Sequence, residues 1–308
     1  MKNRTPVWRT KTFLPVFLFL AALFALLGEI RFAEAAWNDE NLARIPRDRE
    51  FFSFVVVGDT QGPNSKFPKV LPEILREGNL LFVFNLGDLV NYATDAEYES
   101  TFFRHVRGLD LPFITCASNH DHFRSKHAGN YSRLFGTPHY YSFSIGSTFF
   151  VVLDNGQDYS LTETQFTWLE GELEKARGFK RRFIMMHRPL HDPRPNRKNL
   201  HDMSGVPENV TRLNEMFDAH GVTMIFTGHI HSFYTGKWGK TSYIITGGGG
   251  GGLYDKGTPA SFHHYIRVDI TPEGVSCKVK KLDLFSSCLP KTAIITKNDS
   301  QNVLRIWG

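Results

Sequence analysis

Seven side chains able to hold a metal ion stand at the ends of five apolar runs. Residues 54–57 lead into Gly58-Asp59-Thr60-Gln61, and residues 80–84 lead into Gly87-Asp88. Residues 112–116 lead into Ser118-Asn119-His120-Asp121, residues 183–186 into His187-Arg188-Pro189, and residues 224–226 into Thr227-Gly228-His229-Ile230-His231. Taken singly, each has a plain reading: Asp59 as a helix cap, Asp88 as a turn residue, His187 as a core histidine. His229 and His231 are stronger, because residues two apart on an extended chain point to the same side. Together the set is two Asp, one Asn, one Gln and three His. That mixture of nitrogen and oxygen donors suits divalent first-row ions, and its lack of thiolate argues against a structural zinc site. Seven donors are too many for one ion and suit two, provided one carboxylate bridges. Paired ions of this kind serve the hydrolysis of phosphate esters.

The elements that must carry these residues alternate. Strands are predicted over 52–57, 80–84 and 112–116, with helices over 66–77 and 95–106 between them, a pattern that implies βαβ units and parallel pairing. The apolar run before Asp88 suits a strand buried on both faces, and Gly87 supplies a sharp turn. Ligands of such sheets gather outside the carboxyl ends of the strands. A hairpin is expected over 140–144 and 148–153, turning about Gly146-Ser147. A helix over 161–176 opens on Thr162-x-x-Gln165, the pattern of a capping box. Strand 182–186 and helix 208–219 follow, then strands over 222–226, 233–237, 242–246, 265–270 and 275–280. So many strands late in the chain fit two packed sheets with helices outside them. Residues 37–50 read as a polar lead-in, and residues 286–308 as a tail without clear periodicity.

The first eleven residues hold Lys2, Arg4, Arg9 and Lys11 and no acid. An apolar stretch over 13–27 and the small-residue pattern Ala33-Glu34-Ala35-Ala36 follow, which is the layout of a cleaved secretory signal. The expectation is a signal peptide over 1–35 and a periplasmic or extracellular mature chain without a transmembrane helix; the alternative is an uncleaved N-terminal anchor. Of the formal net charge of +5, this leader supplies +3, which leaves the mature chain about +2. That weak balance gives no argument for a nucleic-acid partner. Three cysteines are too few for a disulfide scaffold. Cys116 reads as a buried thiol, while Cys277 and Cys288 stand as a possible pair in an oxidising compartment.

In their order and spacing the five polar motifs resemble those of the calcineurin-like metallophosphoesterases: Asp59-Thr60-Gln61, Gly87-Asp88, Ser118-Asn119-His120-Asp121, His187 and Gly228-His229-Ile230-His231. The resemblance spans roughly 52–285 and is identified with one phosphoesterase domain, between a lead-in over 36–51 and the tail over 286–308. It implies a four-layer α/β fold, two mixed β-sheets sandwiched between α-helices. It implies two divalent ions (Mn, Fe or Zn). Asp59, Gln61, Asp88 and His231 would hold one, and Asp88, Asn119, His187 and His229 the other. It further implies a metal-bridging hydroxide as nucleophile and a phosphate ester as substrate. His120 would be proton donor to the leaving oxygen, with Asp121 orienting His120. Gln61 stands where the family most often has His and would loosen the first ion's site or turn it toward Mn or Fe. Ser118 replaces the usual Gly, which implies a slightly different turn. Asn91 stands where the purple acid phosphatases place a Tyr, so no Tyr-to-Fe(III) colour is implied. Thr246 through Gly252, Tyr254, Pro259 and Phe262-His263-His264-Tyr265 are similar to the exported purple-acid-phosphatase-like group.

Two further stretches have double readings. The run Gly247–Gly252 can line a phosphate site or allow close backbone packing beneath the metals. The loop over 188–201, with Arg188, His191, Arg194, Arg197, Lys198 and His201, can bind an anion or be a solvated basic loop. The reading as a whole is an exported two-metal phosphohydrolase. Its rivals are a nucleotide phosphodiesterase or nuclease on the same scaffold, and a non-catalytic, metal-stabilised envelope binding protein.

Overall fold

The computed structural model describes residues 36–122, 128–136, 138–157, 159–195, 201–282 and 303–306. The leader over 1–35, Cys288, Arg197 and Lys198 lie outside the described residues.

Among the described residues, twelve strands form two six-stranded sheets. The first holds β1 (Phe52–Val57), β2 (Leu80–Asn85), β3 (Phe113–Thr115), β10 (His264–Thr271), β11 (Gly274–Lys281) and β12 (Val303–Ile306), in the order β12-β11-β10-β1-β2-β3. The second holds β4 (Tyr141–Ile145), β5 (Thr148–Val152), β6 (Arg181–Met186), β7 (Met224–Thr227), β8 (Phe233–Trp238) and β9 (Thr241–Thr246), in the order β4-β5-β6-β7-β9-β8. Both are mixed. Strands β1, β2 and β3 run parallel, as do β5, β6, β7 and β9, and antiparallel strands complete each sheet. β12 extends the first sheet by pairing Val275 with Ile306 and Lys278 with Val303, so part of the expected tail is a strand.

The alternation of side chains explains why the strands read as unbroken apolar runs. Phe54 and Val56 of β1 enter a core with Phe82, Phe84, Phe150, Phe183 and Phe226, drawn from both sheets. The intervening Val55 and Val57 pack on the outer side with Val70, Ile74, Phe102 and Tyr131. In the second sheet Ile184 and Met186 turn outward to meet Phe166, Leu169, Leu213 and Phe217. A strand buried on both faces has no polar alternation to show. The layers are therefore helix, sheet, sheet, helix, as expected. The inner seam is aromatic: Phe54 stacks on Phe82 with ring centroids 4.9 Å apart and meets Phe150 edge-on at 5.5 Å.

The outer helices are α1 (Trp37–Arg44), α2 (Phe67–Leu75), α3 (95–106), α4 (Ala128–Phe135), α5 (Glu163–Lys175) and α6 (Pro207–Ala219). α3 changes character midway, with π-type winding over Tyr98–Phe103. Two elements depart from the sequence reading. The lead-in contains α1, and α4 was not expected. α1 has a polar buried face, which conceals it from apolar periodicity. Its Asn41 Oδ1 accepts from the Phe113 amide at 3.0 Å and its Asn38 Oδ1 from the Thr115 amide at 3.0 Å. Asn38 Nδ2 donates to the Thr115 carbonyl at 3.1 Å and Trp37 Nε1 to that of Phe113 at 2.6 Å. The helix thus occupies the open edge of β3 as another strand would.

The expected capping box at α5 is half formed. Thr162 accepts from the Gln165 amide at 3.2 Å, but the Gln165 side chain turns instead to the backbone of Asp154. Cys116 is a buried free thiol, and so is Cys277. Among the described residues no helix is long and apolar enough to cross a membrane.

Candidate metal centre

All seven candidate ligands lie beyond the carboxyl ends of parallel strands from both sheets: Asp59 and Gln61 after β1, Asp88 after β2, Asn119 after β3, His187 after β6, and His229 and His231 after β7. The turns delivering them are tight. Asp59, Asp88 and His229 have φ of 60°, 52° and 65°, a region that residues with a Cβ rarely occupy. Such conformations persist where surrounding contacts impose them. The Asp59 amide donates to the Gly87 carbonyl at 3.1 Å, and Asp59 Oδ1 and Oδ2 accept from the His229 amide at 2.9 and 3.0 Å. Gly87 has φ of +88°, and a Cβ there would stand 2.6 Å from Ser118 Cβ.

The donor atoms converge in two groups that share Asp88. Asp88, His187 and His229 form one, and Asp59, Asp88 and His231 the other. In the first, His187 Nε2 lies 2.9 Å from Asn119 Oδ1, 3.0 Å from His229 Nδ1 and 3.3 Å from Asp88 Oδ1. In the second, His231 Nε2 lies 3.2 Å from Asp59 Oδ1. Ligands about 2.1 Å from one ion sit about 3.0–3.4 Å apart in octahedral or tetrahedral geometry, so these spacings fit ions at both positions. The imidazoles are set for it. His187 Nδ1 donates to the Leu86 carbonyl at 2.8 Å and His231 Nδ1 to that of Gly252 at 2.7 Å, so in each ring Nε2 faces the centre. Gln61 Nε2 donates to Asp88 Oδ2 at 3.0 Å, while its buried Oε1 lacks a hydrogen-bond partner. A half-turn of that amide would present the oxygen as a ligand.

Electrostatics follow the same lines. Burial pushes Asp88 toward neutrality, but His187 and His120 outweigh it and hold the carboxyl below its ordinary range. Burial, with His187 and Arg188 beside it, holds His229 well below the usual imidazole value. Burial also opposes a charge on His231, yet Asp59 and Asp88 raise it to about 9. An anionic Asp88 and a neutral His229 are in the forms a cation binds.

His120 has its Nδ1 2.9 Å from the Asn91 carbonyl and its Nε2 4.0 Å from Asp88 Oδ2, with the side chain about one-third exposed. Asp121 is held by two hydroxyls. Its Oδ1 accepts from Tyr98 Oη at 2.7 Å and its Oδ2 from Ser118 Oγ at 2.5 Å, and it is fully buried. The Asn91 carbonyl anchors the His120 ring, and Asp121 braces the turn through Ser118 and Tyr98. Burial raises the Asp121 carboxyl to about 7 against its two hydrogen bonds. Ser118 does not take a left-handed φ, so its replacement of Gly brings no strain there. Tyr92 is 58% exposed.

The start of the glycine run packs closely, while Gly250, Gly251 and Gly252 line a cavity of about 200 Å³ beside Gln61 and His263. A Cβ on Gly249 would stand 2.3 Å from the Gly58 carbonyl, and one on Gly248 2.2 Å from His264. The Gly251 amide donates to the Asp59 carbonyl at 2.7 Å, tying the run to the first ligand. The basic loop is not simply solvated. Arg188 and Arg194 are buried. Arg188 Nη1 donates to His229 Nε2 at 2.8 Å, with its guanidinium 3.9 Å from the centre of the Tyr159 ring. Three residues with no supporting role in the sequence reading brace the site. Asn155 Oδ1 accepts from the amides of His187 and Arg188 at 3.1 and 3.0 Å. Tyr254 stacks on His231, 4.4 Å between centroids, and Tyr98 holds Asp121. Asn155 carried a usable signal, because Asp154-Asn155 follows apolar β5 as the ligands follow theirs.

Comparison with known proteins agrees with this geometry. The sequence is 29% identical to acid phosphatase type 7 of Mus musculus over 225 residues, covering 63% of this chain and 49% of that protein. It is 29% identical to purple acid phosphatase 18 of Arabidopsis thaliana over 94 residues, 30% of this chain and 21% of that one. The chain spans about half the length of the mouse relative. Among solved structures, GAP50, the anchor in the inner membrane complex of Plasmodium, superposes with a TM-score of 0.61 at 13% identity, covering 84% of this chain and 89% of that one. A purple acid phosphatase from yellow lupin (Lupinus luteus) seeds gives 0.58 at 15% identity, covering 77% and 52%. Residues 52–233, which carry all seven candidate ligands, match the family model described as calcineurin-like phosphoesterase, and the chain belongs to that family.

Proposed function

We propose that this chain is a metal-dependent phosphoric ester hydrolase working with two divalent ions, Mn, Fe or Zn. One observation carries the reading: Asp88 stands between two groups of buried donors spaced as ligands are spaced. The relatives named as acid phosphatases support it, while a fold shared with an anchor protein shows that fold alone would not. Asp59, Gln61, Asp88 and His231 would hold one ion, and Asp88, Asn119, His187 and His229 the other. Such ions supply an activated water near neutral pH and neutralise charge on the phosphoryl oxygens. The leader read from the sequence would export the chain.

His120 would place its Nε2 toward the leaving oxygen while the Asn91 carbonyl fixes its ring. Proton transfer from a positioned imidazole contributes about a hundredfold to ten-thousandfold. Ligation of His229 through Nδ1 requires the ring proton on Nε2, where it would face the Arg188 donor. Arg188 would then be displaced and free to meet an anionic phosphoryl group.

The test is hydrolysis of p-nitrophenyl phosphate beside its bis ester, after chelation and return of Mn, Fe or Zn. Activity restored by metal, at least a thousandfold lower in Asp88→Asn and about a hundredfold lower in His120→Ala, is the expected outcome. Two bound ions with full activity in Asp88→Asn would sink the proposal. A preference for the bis ester, or for DNA, would move the substrate class to diesters.

A further inference from the structure

A second set of metal-ligating side chains lies away from the seven. His122, His139 and Asp154 come from three segments: the turn after Asn119, the loop after α4 and the end of β5. His122 Nε2 lies 3.1 and 3.0 Å from the two Asp154 oxygens, and His139 Nδ1 lies 3.0 Å from Oδ2. Their side chains are 6%, 16% and 15% exposed.

We propose that His122, His139 and Asp154 bind a third divalent ion, Zn2+, as a structural brace separate from the centre built on Asp88. Two imidazoles and one carboxylate are a donor set that zinc accepts, with water or a further ligand completing four-coordination. The three candidate atoms lie within 4.8 Å of one another, inside the span that ligands of one ion occupy. One carboxylate with two neutral imidazoles leaves a single positive charge on the loaded site, less than a dication would impose on neutral groups alone.

The surroundings fit a site held in shape. His139 Nε2 lies 2.7 Å from Ser132 Oγ, which fixes the ring with Nδ1 facing Asp154. Asp154 Oδ1 accepts from the Gly156 amide at 3.2 Å. Gln165 clamps the Asp154 backbone at both ends, accepting from its amide and donating to its carbonyl, each at 2.8 Å. This also accounts for the half-formed capping box at α5. Position gives the ion its purpose. His122 lies three residues beyond Asn119, and Asp154 precedes Asn155, which holds the amides of His187 and Arg188. An ion here would lock the turn that delivers Asn119 to the loop after β5, whose Asn155 holds the His187 and Arg188 amides.

The inference does not depend on the hydrolase reading, and zinc counting separates the two. The full chain is loaded with Zn2+, desalted and assayed by inductively coupled plasma mass spectrometry, with folding followed by circular dichroism. The Asp59→Asn/Asp88→Asn chain is expected to retain one Zn2+, and adding His139→Asn to bring the count to zero. In the otherwise native chain, His139→Asn is expected to lower the count by one, and X-ray absorption on the Asp59→Asn/Asp88→Asn chain to show two imidazoles on the zinc. A folded Asp59→Asn/Asp88→Asn chain without zinc would overturn the proposal. So would a His139→Asn chain with an unchanged count.

Discussion

At the scale of single residues, the candidate centre depends on backbone that ordinary sequence preferences disfavour. Asp59, Asp88 and His229 each occupy the left-handed region, and each bears a side chain pointed at the site. Residues of this kind are retained where function demands a direction that a relaxed turn would not give. Gly87 makes one of these turns possible by approaching Ser118, the Cys116 carbonyl and the His187 ring. Gly87→Ala would force a Cβ against Ser118 and His187 at a φ that an L residue avoids. It is expected to destabilise the fold by about 3 kcal/mol and to lower metal retention, read by urea denaturation and by metal analysis of the folded fraction. The same residues mark how far the sequence could be read. Their types and order marked the seven candidate ligands, because every one followed an apolar run. The partners of His120 and Asp121 did not show. Asn91 meets His120 through a backbone carbonyl, which any residue has, and Tyr98 reaches Asp121 from the middle of a helix.

At the scale of elements, legibility depended on which atoms each element buries. β1 and β2 were visible since both faces are apolar, and α5 because Thr162 caps it. α1 was not, because it buries Asn38 and Asn41 to complete the hydrogen bonding of a strand edge. Hydrophobic periodicity cannot register a helix that packs through amides. The consequence is measurable. Asn38→Ala would strand the amide and carbonyl of Thr115, of which the carbonyl would still receive the Tyr141 hydroxyl at 2.8 Å. One buried amide left unpaired costs about 1–3 kcal/mol. The variant is therefore expected to lose about 2 kcal/mol in urea unfolding. Asn41→Ala should lose a similar amount through the Phe113 amide, and Leu42→Ala, on the helix's partly buried apolar side, should show no change in amide exchange at Thr115.

At the scale of the whole molecule, the two sheets meet over an aromatic seam and close at β10, where His264 is fully buried. Its Nδ1 donates to the Phe262 carbonyl at 2.9 Å, and its Nε2 is buried without a hydrogen-bond partner. Phe233 and Phe262 lie against the ring, 5.5 and 4.9 Å between centroids. Burial, opposed by the Phe262 carbonyl and reinforced by His263 and Lys281, pushes this imidazole from its ordinary 6.5 down to about 4. The direction sets a pH dependence. Above about pH 6.5 neither the folded nor the unfolded chain protonates the ring, and stability is unaffected. As pH falls from 6.5 toward 4, the unfolded chain takes up a proton that the folded chain excludes, so stability is lost. At pH 5 the loss from this residue is about 2 kcal/mol. His264→Leu keeps the apolar contacts without the titrating ring. The expected result is that native and variant chains differ in pH slope, with the native chain losing about 2 kcal/mol more between pH 7 and pH 5 in urea titrations. Since both chains share His187, His229 and His231, their contribution cancels in the comparison. Parallel slopes would mean that His264 accepts its proton without opening the seam.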